Sequence, residues 1–88
     1  MPRFHFNVQD GASSPDEEGT DLPDLEAARM SATALAGELL KDNARAFWQC
    51  PEWQLTVTDD RGLALFTVHV LASDAPVLQV EIIPQNPA

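Results

Sequence analysis

The sequence is poor in the residues that most chemistry requires. It has one cysteine, no tyrosine and five basic side chains. A lone Cys50 makes no internal disulfide and no CxxC pair, so a disulfide scaffold and a dithiol redox site are both excluded. The five bases, Arg3, Arg29, Lys41, Arg45 and Arg61, are scattered against fourteen acids, for a formal charge of −9. Displacing counterions from a phosphate backbone needs clustered Lys and Arg, so the expectation is no nucleic acid and no anionic membrane as partner. No apolar run approaches the length of a membrane span. The opening MPRFHFNVQD lacks the apolar core of a signal peptide, which makes a reducing, cytoplasmic location the default expectation. No Gly-rich phosphate loop is present either, and no nucleophile, base and orienter stand in a recognised arrangement. The expectation is therefore a non-enzyme without cofactors.

What is present is alternation. In RFHFNVQ, residues 3–9, Phe4, Phe6 and Val8 point one way and Arg3, His5, Asn7 and Gln9 the other, the period of a half-buried strand. Asp10-Gly11 closes it in turn chemistry and Ala12 to Pro15 reads as loop. Residues 17–21 return as a short, poorly apolar edge strand. The period then changes. Asp24, with Asp21 as the rival cap, opens a helix in which Leu25, Ala28, Ala32, Leu35 or Ala36, and Leu39 share one stripe. Its alanines favour helix and bring it close to a sheet, and Gly37 is read as a point of close backbone approach. The helix is expected to end near Ala46 or Phe47, ahead of Pro51.

After the helix, Trp53, Leu55 and Val57 alternate with Gln54, Thr56 and Thr58, Asp59 to Gly62 form a turn, and residues 63–71 resume as strand. VLQVEII, residues 77–83, reads as one strand more. The expected fold is α+β: a single, mostly antiparallel sheet of three to five strands, covered on one face by one long helix, in the order β-(β)-α-β-β-β. Residues 1–83 make one small domain and residues 84–88 a frayed tail.

The blocks MPRFHFNVQDG, EEGTDLPDLEAAR and WQLTVTDDRG resemble one bacterial family of small domains of unknown function, found chiefly in alphaproteobacteria. Its pattern, MPR-aromatic-x-F, then EGxxLPDxxAAR, then WxLxVTDxxG, falls here on Met1 to Phe4 with Phe6, on Glu18 to Arg29, and on Trp53 to Gly62. The resemblance spans roughly residues 1 to 70 and implies no activity; the strand at 77–83 exceeds the shorter members of that family.

The stretch DGASSPDEEGTDLPD, residues 10–24, holds six acids and is the natural place to look for a cation. An EF-hand loop needs oxygen ligands at alternating positions and a glycine at the sixth. Counted from Asp10 the third residue is Ala12 and the sixth Pro15; counted from Asp16 the sixth is Asp21. Both registers fail, and the stretch reads as a wet connection whose end caps the helix, with no metal site assigned. His5 and His69 fall on the polar sheet face and read as ordinary surface imidazoles. Cys50 reads as a partly buried small hydrophobe. Of the two indoles, Trp53 shares the core period, leaving Trp48 as the exposed one.

The functional expectation is association: a protein partner or a second copy, a homodimer, held through a sheet edge or the helix end. The candidate interaction surface is Trp48, Cys50, His5, His69, Gln79 and Glu81. The alternative is a small-ligand or cation-binding regulatory module using the acidic loop 16–24 or the polar sheet face.

Overall fold

A computed structural model of the chain describes residues 2–76. The alternating segment is strand β1, Arg3–Gln9, and the helical stripe is α1, Leu25–Asp42. The Trp53 and Phe66 segments form the hairpin of β4, Glu52–Thr58, and β5, Ala64–Leu71. Two short strands, β2 at Ser13–Ser14 and β3 at Thr20–Asp21, lie in the acidic connection, and a second helix, α2, covers Ala44–Gln49. The protein is an α+β fold with a five-stranded antiparallel sheet, ordered β2-β1-β4-β5, with β3 also on β1.

Register puts the apolar residues in rows across the sheet. Phe6 faces Val57, which faces Phe66, and Val8 faces Leu55, which faces Val68. α1 lies over these rows through Ala28, Ala32 and Ala36, which are buried together with Phe4, Trp53, Leu55 and Val57. Three alanines on the helix let its backbone approach the sheet, and larger side chains on the strands fill the space between. Phe66, Val68 and Val70 are only partly buried, so the cover is deepest over β1 and β4 and thins toward β5.

Asp24 is the cap: its Oδ1 accepts from the Ala27 amide at 2.8 Å. The helix departs from the expected course at Asn43, whose backbone leaves helical geometry at φ −125°. Its side chain donates back to the Leu39 carbonyl at 2.9 Å, a local bond that competes with continuation of the helix. α2 restarts there and runs on to Gln49. Two other expectations are corrected. Ser13–Ser14, read as loop, pairs with Gln9 and Val8. Gly37 is exposed and a Cβ there would meet nothing within 4 Å, so it marks no close approach. The expected strand at 77–83, with Gln79 and Glu81, lies outside the described residues.

Candidate functional site

The acidic connection runs along the outer edge of β1. β3 pairs with Arg3 and Phe4, and β2 pairs with Val8 and Gln9. Between them the β1 edge has no strand partner among the described residues, and side chains fill the gap. One carboxylate oxygen of Asp16 accepts from the Phe6 amide at 3.1 Å; the other accepts from Gly19 at 3.1 Å and Glu18 at 3.3 Å. Asn7 answers from the strand, its Oδ1 accepting from the Asp16 amide at 2.9 Å and its Nδ2 donating to the Thr56 carbonyl at 3.1 Å. A partly buried strand amide left without an acceptor costs free energy, and Asp16 supplies that acceptor. Burial pushes the Asp16 carboxyl up, but the Gly19, Phe6 and Glu18 amides and the nearby His5 outweigh it and hold the group below its ordinary range.

His5 is the centre of the site. It was expected to be an idle surface imidazole; it is on the outer face, but its side chain is only 15% exposed. Nδ1 contacts the Asp16 carbonyl at 2.8 Å and Nε2 contacts Asp60 Oδ1, in the β4–β5 turn, at 2.8 Å. Gly19, at φ +77°, lies against the ring: a Cβ there would fall 2.9 Å from His5 Cε1 and 2.8 Å from Arg3 Cγ. Glycine is required at this position by backbone and by space. Arg3 closes the end of the connection, donating to the Glu18 carbonyl and pairing with Asp21 at 3.2 Å. In the turn itself Asp59 accepts from Arg61 at 2.8 Å and Leu63 at 3.0 Å, with Leu63 the leading cause of a carboxyl held below its usual range.

The other candidates sit elsewhere. His69 faces Gln54, two strands from His5 and several residues along the sheet, so the histidines are not brought together. It donates from Nε2 to Gln54 Oε1 at 2.8 Å, and Gln54 Nε2 donates to Gln9 Oε1 at 3.1 Å, a polar row across three strands. This row borders an open groove of about 530 Å³ that also takes in Cys50, Glu52 and Leu71. Cys50 is exposed there, which corrects its reading as a partly buried hydrophobe. Trp53 is 5% exposed and Trp48 54%, Trp48 meeting Phe47 edge to face on α2. Among the described residues no three His, Cys, Asp or Glu side chains are grouped to hold a metal ion, and no helix is long and apolar enough to cross a membrane.

The side-chain cluster was missed in the sequence because it belongs to an edge. Asp16 looks like one acid among six until the strand pairing shows which backbone amide it faces.

A small antiparallel sheet under one alanine-lined helix, its first edge closed by an acidic connection, defines the class of protein at hand. Residues 3–72 match the family described as Domain of unknown function (DUF6894), and the chain belongs to that family. No curated protein and no solved structure matches the chain.

Proposed function

We propose that the domain works by protein association rather than catalysis, as a homodimer formed through the outer edge of β5. One observation carries this reading: β5 is an eight-residue strand, ALFTVHVL, without one Asp, Glu, Lys, Arg or Pro, in a chain where 22% of residues are charged. Edge strands of monomeric proteins are blunted by charge, proline or cover. β1 is covered in that way by the acidic connection. β5 has no partner beyond β4 among the described residues, and Leu71 there is 71% exposed. Two β5 strands pairing about a two-fold axis join the sheets and bring together the thinly covered rows of Phe66, Val68 and Val70.

The test is solution mass by light scattering and sedimentation over a wide concentration range. The full chain is expected as a dimer, and L65K/L71K as a monomer with the same circular dichroism. A wild-type monomer at every concentration, or a double variant that stays dimeric and folded, refutes the reading.

A second reading, small-ligand binding on the polar face, draws support from the groove beside Gln9, Gln54 and His69, whose size falls in the range of roughly 300–1,000 Å³ typical of ligand pockets. The cation alternative has less to stand on, since both oxygens of Asp16 are engaged by backbone amides.

A further inference from the structure

His5 stands between two segments far apart in the chain, the acidic connection and the β4–β5 turn. Its acceptors are a carbonyl and a carboxylate, and neither carries a hydrogen. Each contact therefore needs an N–H from the ring. A neutral imidazole has one; the imidazolium has two. The third side of the ring is held by Gly19.

We propose that His5 is a proton-operated latch: as imidazolium it ties the acidic connection at Asp16 to the hairpin turn at Asp60, and loss of one proton frees one of the two. This goes beyond the association reading and is independent of it. Among the described residues the charged groups around the ring are few. Asp60 accepts from it; Asp16 presents its carbonyl to it while its carboxylate is taken by amides. Arg3, on the same strand, is engaged with Asp21 and Glu18. Asp59 is paired with Arg61 in the same turn, and Thr58, opposite His5 on β4, is uncharged. The hydrogen bond to Asp60, then that to the Asp16 carbonyl, raise the His5 pKa above its ordinary value, and burial opposes them only in part. The sign follows. The latch is fully closed below the ordinary histidine value of about 6.5 and opens as pH rises through the higher folded value.

The experiment is a nitrogen-15 NMR titration of the full chain, wild type and D60N, between about pH 5 and 9, following both ring nitrogens of His5 and the backbone amides. In the wild type both ring nitrogens are protonated at the acid end, and the midpoint lies above the ordinary value. The amides of Glu18 and Gly19 and those of Arg61 to Leu63 then move together with that midpoint. D60N, on a mostly exposed turn residue, is expected to leave the fold intact and lower the His5 midpoint. In that variant the turn amides stop following the ring while the Gly19 amide continues. A wild-type His5 midpoint at or below the ordinary value, a midpoint unmoved by D60N, or turn amides indifferent to the ring overturns the proposal.

Discussion

Replacing Asp16 by alanine takes the acceptor from three backbone amides at once. Those of Phe6 and Gly19 are partly buried, and that of Glu18 is exposed. The exposed amide rehydrates at little cost. Each of the other two loses a charge-assisted bond and is left in a place that water reaches poorly, about 1–2 kcal/mol apiece. Asp16→Ala should therefore destabilise the domain by roughly 2–4 kcal/mol, a large share of the ~4–13 kcal/mol expected at this length. In thermal melts followed by circular dichroism that is a fall in Tm of about 10–25 °C. Glu17→Ala is the control. It removes the same charge from the neighbouring position, where the side chain is exposed, and should change stability by less than about 0.5 kcal/mol. The pH dependence has a definite sign as well. The folded-state carboxyl of Asp16 is depressed, so its ionic contribution is complete above the ordinary carboxylate value near 4 and is lost as pH falls through the lower folded value. The gap between wild type and Asp16→Ala should narrow in acid. Equal melts for Asp16→Ala and Glu17→Ala at neutral pH would refute the reasoning, since the acidic stretch would then be only solvated charge.

Two further substitutions probe the scaffold that positions this edge. Ala32 is fully buried in the core between α1 and the sheet, so Ala32→Leu should force the layers apart and cost about 1–3 kcal/mol in urea denaturation, although leucine matches alanine in helix propensity to within a few tenths. Asp24→Ala removes the cap on the Ala27 amide and should cost about 1 kcal/mol by the same measurement, with the helix content at 25 °C retained.

Periodicity reports which way side chains point, and most of what depends on facing was legible on that basis; Leu25, expected on the core stripe, is instead exposed at the first turn of α1. The Phe4-Phe6-Val8 row, the helix stripe through Ala28 and Ala32 and the hairpin from Trp53 to Leu71 follow from it; the cap at Asp24 follows from the chemistry of its carboxylate, and Ala36 rather than Leu35 is the buried member of the stripe. The edge chemistry was not legible, because a strand amide without a partner leaves no mark in the sequence. That Phe6 needs an acceptor appears only once β2 and β3 are seen to stop on either side of it. His5 was misread for the same reason: its partners come from residues 11 and 55 positions away, and nothing local identifies them. The break at Asn43 lies within reach of sequence reasoning, since a side chain able to bond back to the Leu39 carbonyl is a known competitor of helix, but alanines on either side pull the reading the other way. Cys50 turned out exposed because α2 continues past Phe47 and carries the thiol out to the groove beside Gly11.

Among the described residues the two edges of the sheet are treated differently, and the proposed association rests on that asymmetry. At β1 the chain commits a dozen residues, two short strands, a carboxylate and a left-handed glycine to closing the edge. At β5 it places no charge in eight residues and leaves the inner row partly wet. A small domain has little burial to spare: among the described residues only Leu55 and Val57 are large side chains wholly removed from water, and three of the seven core residues are alanines. The proposed pairing at β5 would add backbone hydrogen bonds and cover Phe66, Val68 and Val70, which are only partly buried under α1. Closing the first edge also gives such pairing a stop. With both edges open, antiparallel addition would run on as a filament; with β1 covered, the proposed pairing of two copies at β5 would stop at a dimer.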